Sequence, residues 1–315
     1  MKKLLLVLCM LLMLCGCKGT SNAKYRVGVV QLVKHDALDK ATEGFVDELK
    51  AELSDEVSID VKNASGDASV CQTIATGFVA DELDLIMANA TPALIAVRNA
   101  TNQIPVLGTS VTEYGVALDI ENFNGLTNIN VSGTSDLAPL DEQAKMILDL
   151  FPSTKTVGIL YCQGEPNSKY QVEVVSKYLE SKGIEVKPYA FSDSNDVKAV
   201  ADEACSNIDV LYIPTDNTCA SNGENIKNAA SKANVPIITG EKECCLSVGG
   251  LATLSIDYYE LGKTTAKMAA KILKGEAKVE EMPIEYFENP VKMYRQDAAE
   301  KFNIDMPEDY VVIEE

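Results

Sequence analysis

The chain has 315 residues, too many for one small core and enough for two α/β domains. Its 28 Lys and Arg against 47 Asp and Glu give a net charge of −19. A surface this acidic argues against nucleic acid, whose affinity comes largely from Lys and Arg on phosphates, and against anionic lipid held by charge alone.

At the N-terminus, Lys2 and Lys3 precede an apolar run from Leu4 to Leu14. That run is too short to span a bilayer and has the layout of a secretory signal. Its end, Leu14-Cys15-Gly16-Cys17, resembles the bacterial lipobox, a Leu, two small residues and a Cys. The resemblance implies a signal peptide over 1–16, cleavage before Cys17 and lipidation of its thiol. Residues 17–24 become a polar tether on the outer face of the cell membrane, with the lipid as the only membrane contact. Of nine cysteines, Cys71, Cys162, Cys205, Cys219, Cys244 and Cys245 remain after these assignments. None forms a C-x-x-C pair or a Cys/His cluster at zinc spacing, so neither a metal nor a cofactor is expected. A chain this long does not need disulfide staples, and the neighbours Cys244 and Cys245 could bridge each other only with strain. Thiols are expected, with one or two bridges left open.

Past the tether, short apolar runs alternate with segments of helical period. Strands are predicted over 25–32, 57–61, 83–88 and 104–108, and helices over 37–53, 68–80 and 92–101. In the helix over 37–53, Ala41, Phe45, Leu49 and Leu53 share one face. Such alternation predicts parallel βαβ units with right-handed crossovers. The same order returns 125–131 residues later: RVGVVQ answers TVGILY, LDLIMANATPA answers IDVLYIPTDNTCA, and NQIPVLGTS answers ANVPIITGE. The fold class is therefore α/β, with two doubly wound, Rossmann-like lobes of one ancestral design.

The lobes do not simply follow one another. After a strand at 251–256 comes a long helix from Tyr258 that Gly275 can end, and its expected home is the first lobe. The tail from Asn289, with a helix over 296–302, returns to the second. The chain then crosses three times, near 132–136, 255–257 and 287–291. The lobes become 25–134 plus 257–288, and 135–256 plus 289–315. A linker of three crossings permits hinge bending and keeps register.

Ligands of open α/β sheets bind outside the carboxyl ends of the strands. Those ends carry Gln31 with VKHDALD, NATPA (89–93), Thr109 and Ser110, GEPNS (164–168), TDNT (215–218) and Glu241, and the crossovers add SGTSD (132–136) and Asp257. Thr91-Pro92 reads as an N-cap followed by Pro at the first helical position, and 167–168 and 215–218 also open helices. Helix N-termini suit a carboxylate without Arg, and Asp136, Asp216 and Asp257 suit an ammonium. The pair describes a zwitterion, an amino acid. Lys34 is the lone Lys or Arg in these stretches, which disfavours phosphate, and the absence of Trp disfavours sugar. Each residue also has a plainer role: Thr91, Ser168, Thr215, Asp136 and Asp257 as helix caps, His35 as a structural histidine, Tyr258 and Tyr259 as hinge packing.

The stretches HDALDKATEGFVDEL, NATPA, GTSD, EPNSKYQVEVV, YIPTDNT and LATLSIDYYELGKTTAKMAAKILKGEA together resemble the tryptophan-type substrate-binding lipoproteins of ABC transporters, over about residues 25–315. The resemblance implies a type I periplasmic-binding-protein fold. It also implies capture of an aromatic amino acid (tyrosine, tryptophan or phenylalanine) by clamshell closure, for an ABC permease and its ATPase. By motif it implies ligand contacts at Gln31, His35, Asn89, Ala90, Thr91, Ser110, Ser135, Asp136, Asn167, Ser168, Thr215, Asp216, Asn217 and Asp257. Two stretches depart from the pattern: GEKECCLSVGG carries paired cysteines, and Asn89 stands where a smaller residue is expected. The extra amide at 89 is expected to read a phenol hydroxyl, favouring tyrosine.

No G-x-G-x-x-G follows the first strand, and no G-x-S-x-G elbow, P-loop or base–nucleophile pair is present, so an enzyme is not expected. The remaining alternatives are another cargo, such as a branched-chain amino acid or a nucleoside, or a ligand-sensing receptor module.

Overall fold

The computed structural model describes residues 23–287 and 289–314. The expected signal peptide, Cys17 and most of the tether lie outside the described residues. Two sheets organise the chain. The first holds β1 (Tyr25–Gln31), β2 (Val57–Asn63), β3 (Leu85–Asn89), β4 (Val106–Val111), β5 (Val131–Ser135) and β11 (Glu285–Tyr286), in the order β11-β5-β4-β3-β1-β2. The second holds β6 (Thr156–Cys162), β7 (Glu185–Phe191), β8 (Val210–Ile213), β9 (Ile237–Thr239), β10 (Ala252–Ser255), β12 (Val291–Tyr294) and β13 (Val311–Val312), in the order β13-β12-β10-β9-β8-β6-β7. The order β2-β1-β3-β4-β5 repeats as β7-β6-β8-β9-β10, all parallel, so the duplication seen in sequence is a duplication of topology. The copies differ at the far edge: β11 joins its sheet parallel, whereas β12 joins antiparallel.

Alternate residues of each strand enter opposite helical layers, as the period of two requires. In the first lobe Val30, Ile86 and Val106 pack against α2 (Ala68–Ala80) and α3 (Thr91–Ala100). Val27, Val29, Leu85, Met87 and Leu107 pack against α1 (Asp36–Leu53). The helix α4 (Tyr114–Leu118) follows β4. In the second lobe Val157, Ile159 and Tyr212 meet α5 (Leu140–Leu150) and α6 (Pro166–Ser181). Leu160, Leu211 and Ile213 meet α7 (Val197–Cys205), α9 (Gly223–Ala233) and α10 (Lys242–Val248), with α8 (Asn217–Ser221) between.

The long helix α11 (Tyr258–Leu273) does return to the first lobe, where Ala266 and Ala269 share the core with Phe45 and Leu49 of α1. Glycine permits the contact. A Cβ at Gly44 would stand 2.1 Å from Tyr259 O, and one at Gly262 would stand 2.0 Å from Ala41 O. The tail carries α12 (Gln296–Phe302) against the second lobe and then adds β13 to its sheet. The chain thus passes between lobes after β5, after β10 and after β11. Strand bounds shift by one to three residues from expectation, and the largest shift is the end of β4. β4 runs to Val111, three residues further, through a register shift at which Ser110 takes φ 52°.

All six described cysteines outside the leader are buried free thiols. Among the described residues no helix is long and apolar enough to cross a membrane, and no group of His, Cys, Asp and Glu could hold a metal.

Candidate ligand-binding site

The strand tips of the two lobes face each other across a narrow chamber. His35, Ser110, Asp136, Asn167, Thr215, Asp216 and Asn217, all expected, line it. The apolar part of the wall comes from Ala37, Leu38, Ala220 and Tyr258, with Thr112 and Glu241 beside them. The walls stand close: about 10 Å³ admits the centre of a water molecule, roughly one water's worth, within about 290 Å³ of non-protein space. Asn217 also borders a wider crevice of about 420 Å³ at the mouth, between Val33, Ser65 and Pro92 of one lobe and Glu165, Ser194 and Asn222 of the other.

Besides the contact of Tyr258 with Asp136 at the hinge, two polar contacts among the described residues cross the cleft. His35 Nε2 lies 3.2 Å from Asn217 Oδ1, and Lys40 Nζ lies 2.5 Å from Glu243 Oε1. The first can be oriented from its neighbours. Asn217 Nδ2 donates to Glu165 Oε2 at 2.6 Å, so Oδ1 must accept and His35 Nε2 must donate. Burial holds the His35 imidazole below its usual range, hence neutral, and leaves Nδ1 a bare acceptor, buried without a partner.

The run TDNT does two jobs at once. Pro214 ends β8, and Asp216 caps α8 by accepting from Cys219 N at 2.8 Å. Its other oxygen accepts from Cys162 N and Ser168 Oγ, each at 2.7 Å, which ties the first and third strand tips of the lobe together. Glu165 accepts from Asn217 and from Thr218 N and Oγ1. Burial, reinforced by Glu165, pushes Asp216 up to about 7.

Asp136 sits at the first crossover, 5% exposed. Its Oδ2 accepts from Tyr258 Oη at 3.0 Å, and its Oδ1 has no partner. Burial raises its carboxyl to about 6, and the neighbouring hydroxyls of Tyr258 and Thr112 oppose the rise. Glu241 caps α10 through the N–H groups of Glu243 and Cys244, yet burial lifts it to about 8. Asn167 Nδ2 donates to Glu165 Oε2 at 3.1 Å and Thr215 O at 3.0 Å, which fixes its unpartnered Oδ1 as an acceptor. Ser110 Oγ is buried and unpartnered as well.

The other expected residues stand behind the wall. Gln31 is saturated, donating to Val33 O and Asp39 Oδ1 and accepting from Thr42 Oγ1, so it holds the loop before α1. Ser135 Oγ donates to Thr112 O and accepts from Leu137 N, and Ser168 is committed to Asp216. Asn89 donates to Leu38 O and Thr42 Oγ1, so its amide N–H groups brace α1 and are not free to read a phenol; only Oδ1 is unpartnered. Thr91 is not a cap. α3 begins at Thr91, the preceding Ala90 takes the N-cap place with no side-chain bond, and Thr91 Oγ1 stays buried and unpartnered. Ala90 adopts φ 94°, ψ 154°, a region that favours glycine, so its backbone is strained. Asp257 is exposed and caps α11 through Tyr259 N and Glu260 N, both on Oδ1, and it is outside the chamber lining. Tyr258, by contrast, does more than pack in the hinge, and Tyr259 turns away to donate to Asp47. Glu165 and Glu241, with Ala37, Leu38, Thr112, Ala220 and Tyr258, are the residues on or behind the lining that sequence reasoning left out of the site. The first two do lie in stretches recognised as strand ends.

Known proteins resemble this arrangement closely. Residues 26–314 match the family of ABC transporter substrate binding proteins. A tyrosine-binding protein of Clostridioides difficile is 37% identical over 273 residues, 85% of this chain and 77% of that one. The ABC domain from Streptococcus pneumoniae, solved in complex with L-Trp, is 32% identical, covers 92% of this chain and 100% of its own, and superposes with a TM-score of 0.87. A ligand-free, open structure of a substrate-binding protein with adhesive properties from Clostridium difficile is 34% identical. Covering 92% of this chain and 99% of its own, it superposes with a TM-score of only 0.69. At similar identity and coverage, the lobes here match the arrangement of the L-Trp complex better than the open one. The chain belongs to the ABC transporter substrate-binding family, as an extracytoplasmic solute-binding protein with the type I periplasmic-binding fold.

Proposed function

We propose that this protein captures an aromatic amino acid in the chamber between its lobes and delivers it to an ABC permease driven by an ATPase. The moving bodies are 25–134 plus 257–288 and 135–256 plus 289–315, rotating about the three crossovers. Ligand binds one lobe in the open form, and closure brings the other lobe's polar tips onto it. Closure also removes water, which strengthens each polar contact. Leu38, Ala220 and the Tyr258 ring offer the apolar surface for a side chain. The protein needs no catalytic group, since the energy of transport is spent elsewhere. Cleavage after residue 16 and lipidation of Cys17 tether it to the membrane.

One observation carries this reading. His35 Nδ1, Ser110 Oγ, Asp136 Oδ1 and Asn167 Oδ1 are buried, unpartnered and on residues that line one chamber. Buried polar groups without partners are rare in folded proteins, and four around one chamber mark a place built for a polar guest. The test is a thermal-shift screen of the twenty amino acids and the nucleosides, followed by calorimetry. Tyrosine, tryptophan or phenylalanine should raise the melting temperature most. A larger shift from a branched-chain amino acid or a nucleoside would replace the cargo.

A further inference from the structure

Glu165 stands behind the chamber wall, and it decides what that wall presents. Both of its oxygens accept, and each neighbour bonded to it donates. Oε2 takes Asn217 Nδ2 at 2.6 Å, and Asn217 N and Asn167 Nδ2 at 3.1 Å each. Oε1 takes Thr218 N at 2.9 Å and Thr218 Oγ1 at 2.8 Å. Asn217 carries this arrangement into the cleft. Turned over, its amide would set Oδ1 where Nδ2 now lies, 2.6 Å from Glu165 Oε2, with oxygen facing oxygen and no proton between them. Oδ1 is therefore held toward His35.

His35 belongs to the other lobe and is the one histidine of the chain. A neutral imidazole carries a single ring proton, so a ring that donates through Nε2 offers a bare acceptor at Nδ1. That Nδ1 is buried with no partner among the described residues, and His35 lines the chamber. The chain of contacts from Glu165 through Asn217 to His35 thus crosses the cleft and ends in a fixed acceptor on the first lobe.

We propose that Glu165 is a positioning residue for ligand capture: acting through Asn217, it holds His35 in the Nε2–H tautomer when the lobes close, so that the wall meets the ligand with an acceptor at Nδ1 and selects a donor there. Glu165 borders the crevice at the mouth and not the chamber, so its effect on the ligand passes through the two residues between. In the open form His35 is parted from Asn217, and water serves both ring nitrogens. The tautomer is then set at closure, by the lobe that does not carry the histidine.

This deepens the capture reading above and rests on it for the closed state. The test is 15N NMR of the whole chain labelled at its histidine, at pH 8 with saturating tyrosine, where two-bond 1H–15N correlations tell the tautomers apart. The parent should show one ring with its proton on Nε2. Glu165→Ala frees the Asn217 amide to turn, and the adjoining crevice lets water reach the donors left behind. The ring should then populate both tautomers, and tyrosine should bind about tenfold more weakly by calorimetry. Adding Asn217→Asp to that variant supplies an acceptor whichever way the side chain turns, and should return the proton to Nε2. Damage confined to the loop would not be mended by this second change. A parent ring with its proton on Nδ1 overturns the proposal whether or not the variants fold. A Glu165→Ala protein that keeps the Nε2–H tautomer overturns it too, as does a double variant that does not regain it. If tyrosine does not bind, the aromatic reading fails by itself. The same spectra, taken with the amino acid or nucleoside that gives the largest thermal shift, then decide the role of Glu165.

Discussion

Replacing Asp136 by Asn should move stability and affinity in opposite directions. The carboxylate is 5% exposed, and burial carries its pKa from 3.8 to about 6. The folded state therefore disfavours the ionised form. The unfolded chain releases this proton near pH 4 and the folded protein near pH 6. Over that window the folded state binds more protons, so stability falls as pH rises, and above about pH 7 the full penalty is present. At about 1.4 kcal/mol per pKa unit, the penalty is about 3 kcal/mol. An amide has none, and its oxygen can still accept from Tyr258. Ligand-free Asp136→Asn should thus be more stable than the parent by about 3 kcal/mol at pH 7, with the gain vanishing below pH 4. Ligand affinity should drop at the same time by 10²- to 10³-fold, because a charge-assisted bond worth about 3 kcal/mol is lost and an N–H group faces the amine. Urea titrations at pH 4, 5.5 and 7.5, paired with calorimetry at pH 7.5, read both quantities. A variant that is less stable at pH 7.5, or one that binds within threefold of the parent, would refute this account of the hinge carboxylate.

Three further outcomes are expected. Glu243→Gln removes the partner of Lys40 across the cleft; since Lys40 is 42% exposed, the pair is worth at most about 1 kcal/mol. Ligand should leave about threefold faster in stopped-flow at low salt, and no faster in 0.5 M salt. Gly262→Ala drives a methyl to 2.0 Å from Ala41 O and should cost about 3 kcal/mol, whereas Gly77→Ala, with nothing within 4 Å, should gain about 0.5–1 kcal/mol in the same denaturation assay. The six buried thiols should resist a disulfide reagent in the native protein and react in denaturant, since burial pushes Cys71 and Cys205 up to about 11 and Cys245 up to about 12.

What the sequence made legible follows from locality. The period of two in VGVV and VGIL, the period of 3.6 in α1, and a repeat of whole βαβ units all survive in one dimension, so the sheets and their shared strand order could be anticipated. α11 lies against α1 of the first lobe, where Ala266 and Ala269 join Phe45 and Leu49. Where two local roles compete, sequence is silent. Asp257 and Asp136 both stand at crossovers beside helix starts, and either could cap or bind. Asp257 caps α11, whereas Asp136 is taken by the ring hydroxyl of Tyr258, 122 residues away. Asn89 misled for a related reason. Its place at a strand tip was legible, but the Leu38 carbonyl that consumes its amide belongs to a different element. Glu165 was given no role of its own, because four of the five donors it gathers come from residues 217 and 218, some fifty positions on. The strain at Ala90 and Ser110 was invisible, since neither residue type announces a positive φ.

The position of Asp136 also supplies a reason for closure to wait for ligand. The residue sits on one crossover and its partner Tyr258 opens the helix that directly follows another, so the hydrogen bond between them ties two of the three crossings together. Bringing the lobes together without an amine would bury a carboxylate half-satisfied, together with the bare acceptors of His35 and Asn167. Each such group opposes the closed form by about 1–3 kcal/mol. An amino acid's ammonium seated there would cancel the charge and fill the acceptors in one step, so the ligand's preference for the closed form would equal the penalty it removes. A difference of about 5.5 kcal/mol is enough to turn a mostly open population into a mostly closed one. One charged and two neutral orphans lie within reach of that figure. The lobes share a fold but not a task. The second lobe and the hinge hold most of the carboxylates, and the first brings Ser110 and the neutral His35 to meet them.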